Sequence, residues 1–408
     1  MSDYPVLNWN EAGENKSARW RSESGSAPPK KVVIADDRMT ADAAYRLACE
    51  GTALLWRGDY QNARQLLQAM ARRANEKPRK TKARQARLPL LNPRPLAGEE
   101  ANESLRALHI NEAFHLHRQA QSQRARTLGM LLLPFNSDHS IPLRRAPDAI
   151  AACSEALGFV TEPYIASLRS LLGLIGAHEW RKIGVEIPAL DSRIHPHYGV
   201  FAPVRGEYVT LVNEAPLPEL CKTQSVAFDI GTGTGVLAAV LARRGIGHVV
   251  ATDQDSRALA CAHENLARLA LADQVDVVEA DLFPGGRAAL IVCNPPWVPA
   301  RPSSPLEYAV YDPESRMLRG FLSGLAAHLL PGGEGWLILS DLAEHLGLRT
   351  REELLATINA AGLQVLGKVD IKPRHPKASD TDDPLHAARS AEITSLWRLT
   401  ANQLIIDN

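Results

Sequence analysis

The sequence predicts an α/β fold: an open, mainly parallel sheet over residues 191–408, joined to a mostly helical region over residues 31–190. Three observations predict it. Short apolar runs at 226–230, 248–252, 275–280 and 290–293 each end at an acid, a glycine-rich turn or an Asn-Pro step. Helical patterns at 236–244, 313–330 and 350–361 alternate with strand patterns, as strand–helix–strand units require. Ahead of residue 190 the apolar residues recur mainly at helical spacing.

The first strand pattern is Val226-Ala227-Phe228-Asp229-Ile230, and Gly231-Thr232-Gly233-Thr234-Gly235 follows it into a helix. Glycines in such a turn let the backbone approach a ligand and adopt conformations that a Cβ forbids. A dinucleotide site needs Gly-x-Gly-x-x-Gly/Ala, with a small third residue where helix meets strand. Here that position is Val236, and the third glycine comes one residue early, at Gly235. Asp229 precedes the turn, where an acid would repel a pyrophosphate but could accept from a cationic ligand's ammonium. The spacing favours S-adenosylmethionine over NAD, with Gly231, Thr232, Gly233 and Gly235 as the turn against it.

The second strand, 248–252, ends at Asp253, about the distance downstream at which an acid meets a ribose diol in such folds. A third, 275–280, delivers Asp281, whose carboxylate could accept from an adenine amino group while Leu282 or Phe283 packs on the ring. The fourth, Leu290-Ile291-Val292-Cys293, runs into Asn294-Pro295-Pro296-Trp297. Together these motifs resemble the class I methyltransferases, a Rossmann-like seven-stranded fold, and among them the subset that methylates exocyclic amino groups of bases or the amide of glutamine. The resemblance implies that the Asn294 side chain and the Pro295 carbonyl accept both hydrogens of a planar NH₂. It also implies that Pro296 and Trp297 complete the site, with the aromatic ring stacked on the group's plane. Such a nitrogen has its lone pair delocalised, so it must be held rigidly in line with the methyl donor.

Downstream, the 313–330 helix carries Met317, Leu318, Phe321, Leu322, Leu325 and Leu329 on one face and stops at Pro331-Gly332-Gly333. Residues 336–340 read as a buried strand, and 350–361 as a helix ended by Gly362. Two last strands, 365–372 and 394–400, fit the antiparallel terminal pair that the methyltransferase family adds to its parallel sheet. Upstream of the first strand lie residues 194–201, with Arg205-Gly206-Glu207-Tyr208 after them; their Tyr198-Gly199-Val200-Phe201 and Glu207-Tyr208-Val209-Thr210-Leu211-Val212 resemble the lead-in segment of small-domain methyltransferases that modify guanine in ribosomal RNA, where such residues line the cofactor's methionine end. His195 and His197 alternate on that segment and are expected to be loop residues rather than metal ligands.

The chain has 408 residues, 45% of them apolar, enough for two cores. No apolar run approaches the ~20 residues of a membrane helix. Residues 1–30 are polar, without an apolar stretch behind a basic start, and read as a disordered tail. Five scattered cysteines without a Cys-x-x-Cys pair point to reduced thiols in a cytoplasm and away from zinc. Residues 41–57 and 59–73 read as two helices joined at Gly58. Their Trp56-Arg57-Gly58-Asp59-Tyr60 corner resembles one tetratricopeptide hairpin, but a solenoid needs about three repeats, so an ordinary helical hairpin is expected. Residues 102–126 read as a further helix.

The formal net charge of zero hides an asymmetry. Residues 57–145 hold 17 Lys and Arg against 7 Asp and Glu, an excess of +10 that leaves −10 on the remainder. Its densest part is Arg72, Arg73, Lys77, Arg79, Lys80, Lys82, Arg84 and Arg87, followed by a proline-rich stretch at 88–96. That charge suits a polyanion or a solvated loop. The leading expectation is amino-group methylation of a base in structured RNA. The alternative is a glutamine side chain of a protein such as a release factor, and a third is a binding or assembly factor that kept the pocket but lost turnover.

Overall fold

The structure, a computed structural model, describes residues 4–75, 99–302, 307, 309–373 and 383–402, with the backbone alone over 99–109. It divides into two compact units, Met1–Ile175 and Gly176–Asn408, ahead of the boundary expected at residue 190. Among the described residues, no helix is long and apolar enough to cross a membrane.

The first unit overturns two expectations. Residues 4–30 include a β-hairpin: β1 (Val6–Glu11) pairs antiparallel with β2 (Glu14–Trp20). Ala12 and Gly13, with φ of 55° and 85°, make the two-residue turn whose left-handed backbone matches strand twist. Leu7 and Trp20 are buried in one apolar cluster, with Trp9 and Ala18 packed against it. That two-residue alternation is half apolar and half polar, so it reads as a polar tail when only composition is weighed.

The helical hairpin expected over 41–73 is instead a helix, a strand and a helix. Between β3 (Lys31–Ala35) and β4 (Thr52–Trp56) lies only the short α1 (Ala41–Cys49), capped by the Thr40 side chain; α2 (Tyr60–Asn75) follows. Every residue of β4 is buried, so the strand carries no period-2 signal and its apolar run mimics a helix face. Gly51, at φ +82°, turns the chain out of α1. The long α3 (Glu99–Leu128), β5 (Leu131–Phe135), α4 (Ile150–Leu157) and β6 (Tyr164–Ser167) complete a six-stranded sheet in the order β1-β2-β6-β5-β4-β3. The region is thus mixed α/β, not mostly helical. Of the basic cluster, residues 77–87 lie outside the described residues. Arg73 pairs with Asp42 at 2.6 Å.

The helix α5 (Leu168–Ile183) contains the division between units. Beyond it, β7 (Val185–Ile187) and β8 (Ser192–Ile194) pair as a small ribbon, and α6 (Glu207–Glu214) precedes the second sheet. That sheet runs from β9 (Val226–Ile230), α7 (Val236–Arg243), β10 (His248–Asp253), α8 (Ser256–Arg268), β11 (Val275–Glu279) and β12 (Ala288–Cys293) to α9 (Arg316–His328) and β13 (Leu329–Ser340). It then closes with α10 (Leu342–His345), α11 (Arg351–Ala360), β14 (Leu363–Ile371), α12 (His386–Ala391) and β15 (Thr394–Ala401). The strand order is β11-β10-β9-β12-β13-β15-β14, parallel except for β15, which is antiparallel to both neighbours. This is the seven-stranded sheet with its antiparallel terminal pair.

Alternate side chains of the central strands enter two separate cores. Ala227, Leu290, Val292, Trp336 and Ile338 pack with α6, α7 and α8 on one face. Phe228, Ile291, Cys293, Leu337 and Leu339 pack with α9 and α11 on the other. Helices on both faces leave the carboxyl ends of the parallel strands as the open edge where such sheets bind ligands. One expected boundary moves: β13 begins at Leu329, so Pro331-Gly332-Gly333 lies inside the strand instead of ending a helix. A Cβ on Gly333 would lie 3.0 Å from the Ala289 carbonyl oxygen, so glycine there lets two backbones meet.

Candidate active site

A cavity of about 760 Å³ opens at the carboxyl ends of β9, β10, β11 and β12, within the range of small-ligand sites. The glycine-rich turn forms its floor, with Gly231, Gly233 and Gly235 at φ of +71°, +56° and +80°. A Cβ on Gly231 would lie 2.3 Å from Met317 Cε, and one on Gly235 would press on the Ala262 backbone of α8 at 3.3 Å. The first glycine therefore keeps the turn clear of α9, and the third lets α7 and α8 approach. Gly235 itself does not line the cavity.

Asp229 is placed differently from expectation. It is 1% exposed and absent from the cavity wall. Its Oδ2 accepts from the Thr232 hydroxyl at 2.6 Å and from the Ala238 backbone N–H at 3.0 Å, so it ties the turn to the first turn of α7. Burial pushes its carboxyl up to about 6, against the pull of those two donors. Asp253 does line the cavity. Its Oδ2 accepts from the Gly233 N–H and its Oδ1 from the Asp255 N–H, each at 3.0 Å, and burial raises its carboxyl above the usual range. A carboxylate has about four acceptor sites, so both oxygens keep a lone pair for a ligand.

Asp281 lines the cavity as an exposed carboxylate engaged by Arg316, whose Nη2 donates to Oδ2 at 2.9 Å. Leu282 lines it at φ +78°, a conformation rare outside glycine, and its carbonyl accepts from the Thr252 hydroxyl at 2.6 Å. Phe283 turns away, stacked on His328 with ring centroids 4.4 Å apart.

Asn294, Pro295, Pro296 and Trp297 form another part of the wall. The Trp297 indole N–H donates to Asn294 Oδ1 at 2.9 Å, which sets the direction of the amide. Behind them, Val298 donates from its backbone N–H to the Val310 carbonyl, and its own carbonyl accepts from the Asp312 N–H. Asp312 caps α9 by accepting from the Met317 and Leu318 backbone N–H groups, both at 3.1 Å. Phe201, Arg205 and Tyr208 of the lead-in segment share the cavity wall. Arg316, Met317 and Asp312 are functional-site neighbours that the motif reading passed over. Asp312 ahead of an apolar helix is an N-cap signal, though nothing in it announces a cavity. His195 and His197 are both engaged elsewhere, with Nδ1 donating to the Arg181 carbonyl and Nε2 on Glu264 respectively. Cys293 is fully buried, and burial raises its thiol well above the usual range, so it is an inert strand residue.

Residues 191–350 match the family called methyltransferase small domain. The release factor glutamine methyltransferase of Moorella thermoacetica is 34% identical over 194 residues, which are 42% of this chain and 67% of that one. Its counterpart in Cereibacter sphaeroides is 32% identical over 158 residues, 35% of this chain and 54% of that one. The ribosomal protein L11 methyltransferase of Sorangium cellulosum is 33% identical over 252 residues, 57% and 70% of the two chains. The chain belongs to the S-adenosylmethionine-dependent methyltransferases. It spans little more than half the length of the Cereibacter relative and about two thirds of the other two.

The residues of this methyltransferase fit its cofactor. The cavity is large enough for a nucleoside carrying an amino acid, and its turn is glycine where a Cβ would collide. Two carboxylates with spare acceptor capacity, Asp253 and Asp281, stand on its wall. Nothing on the floor of the methyltransferase's cavity provides the third small residue after the turn that a pyrophosphate site uses, because Val236 occupies that position and lines the cavity.

Proposed function

We propose that this methyltransferase transfers a methyl group to a planar amino nitrogen, and that Asn294 holds that nitrogen. The observation that carries this reading is the Trp297-to-Asn294 hydrogen bond on the cavity wall. It occupies one lone pair of Asn294 Oδ1 and leaves the other in a fixed direction as an acceptor. Together with the Pro295 carbonyl it supplies two acceptors for two N–H groups. S-adenosylmethionine supplies an electrophilic methyl on a sulfonium. The nitrogen lone pair forms the new bond as the carbon–sulfur bond breaks, and the nitrogen then sheds a proton to solvent. Carbonyl acceptors on its hydrogens stabilise the positive charge that develops, and such preorganised contacts supply several kcal/mol in favourable cases, roughly 3 for a single group.

In this reading Asp253 accepts from the ribose hydroxyls with the lone pairs its backbone donors leave over. Asp281 receives the adenine amino group with the acceptor positions that Arg316 leaves over, and Leu282 packs on the ring. Asp229 holds the turn from beneath.

Between acceptor classes, the observations support a protein side-chain amide. Two of the relatives described above act, by name, on a release factor and one on a ribosomal protein. Arg205 also stands over the Trp297 ring with its guanidinium carbon 5.2 Å from the centroid, which takes one indole face away from a stacking base. An amide is a smaller planar group, and the remaining indole face is enough for it. A base in RNA is the second reading, favoured by the +10 excess over residues 57–145. Incubating the full chain with methyl-labelled S-adenosylmethionine and cell extract tests both. Label that survives ribonuclease and is lost to protease supports the amide; label lost to ribonuclease supports RNA; no label above a protein-free blank overturns the proposed activity.

A further inference from the structure

We propose that Arg205 is a positioning residue of the acceptor site: it fixes the Trp297 indole, and through the indole N–H it sets the direction of Asn294. The inference rests on the reading of Asn294 as the amine holder.

Three contacts connect the residues. The Arg205 guanidinium lies over the Trp297 ring, a cation on an aromatic face. Its Nη2 donates to Glu392 Oε1 at 3.0 Å, and the Ser340 hydroxyl donates to the same oxygen at 2.7 Å. Trp297 then donates to Asn294. Glu392 is 1% exposed and stands just before β15, so its carboxylate is anchored by the sheet and not by a mobile loop. The result is a rigid post, from Ser340 and Glu392 through Arg205 to Trp297, that ends on the amide oxygen.

Arg205 is held there against its local preferences. It immediately precedes Gly206, the N-cap of α6, where the helix dipole favours an acid over a cation. Its Nε is buried without a hydrogen-bond partner in the protein, a cost that stable folds avoid. A surface cation with no task would swing out to water. Stacking and the Glu392 pair hold it, and what they jointly constrain is the ring beside Asn294. Trp297 also packs against both apolar clusters, which hold the ring's body; the guanidinium fixes its remaining tilt, without which the indole N–H could leave Oδ1 and Asn294 could present its NH₂ in place of its oxygen to the acceptor.

The test reads the indole directly. The chain has seven tryptophans, and replacing one of them in a ¹⁵N-indole-labelled sample, Trp297→Phe, assigns the Trp297 N–H resonance. In Arg205→Met that resonance should shift and its hydrogen exchange accelerate at least tenfold. The Trp56 indole, bonded to the Asp59 carbonyl, serves as an internal control and should not move. Arg205→Lys, which keeps a cation without the planar fork, should fall between the two, and Glu392→Gln should reproduce the change from the other side. In label transfer, Arg205→Met and Trp297→Phe should each lower turnover at least tenfold, well beyond any weakening of S-adenosylmethionine binding in calorimetry, and the double variant should be no worse than either single one. An unchanged Trp297 resonance and exchange rate in Arg205→Met would sink the proposal, as would multiplicative losses in the double variant. The resonance does not depend on turnover, so absence of methyl transfer by the parent chain would count against the proposed function while the indole readout still decides Arg205.

Discussion

Asp229 shows how much a single residue's depth changes what its substitution reports. A carboxylate that accepted a ligand's ammonium would lose affinity on neutralisation, whereas one that holds a turn by accepting two N–H or O–H donors can be replaced by an amide. Asp229→Asn should therefore bind S-adenosylmethionine nearly as well as the parent in calorimetry. Its pH behaviour follows from the raised carboxyl. Below the unfolded value of 3.8 the group is protonated in both states and costs nothing; as pH rises through about 6 the folded state must bury a charge and that advantage is lost. The stability gap between Asp229→Asn and the parent should widen between pH 4 and 7 by on the order of 3 kcal/mol. Parallel melting-temperature curves across that range would contradict the assignment. Asp253→Ala should behave otherwise, weakening cofactor binding by roughly 1.5–3 kcal/mol as a lost hydrogen bond to a charged group does, and unaltered affinity would remove it from the pocket. Asn294→Ala should leave cofactor affinity alone and lower turnover by about 10²-fold, with kcat from label transfer as the check.

At the scale of elements, the cofactor face is shaped by helices that approach closely because they lack side chains. On α9, Gly320 and Gly324 face Leu282 and Phe283, and a Cβ on either would meet the neighbour at 2.5 Å. Leu282 has a flexible end. The Phe283 ring does not, because it is stacked between His328 and Phe321 with centroids 4.4 and 5.8 Å away. Gly324→Ala should cost about 1–3 kcal/mol by overpacking, even though alanine favours a helix; a variant with unchanged or raised melting temperature would refute this packing argument. The α11 helix illustrates the opposite case, a boundary set by local chemistry. Thr350 accepts from the Glu353 N–H while Glu353 accepts from the Thr350 N–H, a complete capping box legible as Thr-x-x-Glu.

For the whole molecule, the open question is what the charge asymmetry serves. If the Lys80, Lys82, Arg84 and Arg87 side chains contact phosphate, binding to RNA should weaken with salt, and neutralising all four should flatten the log–log slope by about three units at ~0.7 per contact. S-adenosylmethionine affinity should not change. A slope unaffected by the fourfold change, or no RNA binding at low salt, would leave the side-chain amide as the acceptor. Arg73 shows why counts of basic residues overstate what is available: it belongs to the same cluster, yet Asp42 already neutralises it.

What the sequence determined by itself is the seven-stranded sheet and the two motifs, Gly231 to Gly235 and Asn294 to Trp297, that meet at its cavity. Over residues 226–297 each strand is short, each ends at a chemically distinctive residue, and Gly231 to Gly235 and Asn294 to Trp297 act within a few residues of one another, so local order carries the information. The tertiary structure alone decided three things. Thr52–Trp56 became a strand because it is covered on both faces, and full burial erases the periodicity that separates strand from helix. The tail became the hairpin of β1 and β2 because Leu7 and Trp20 reach a core built from residues as distant as Ile165. Asp229 became a support and Arg205 a part of the cavity wall because depth and neighbours more than a hundred residues away, such as Glu392, are set only when the sheet is assembled.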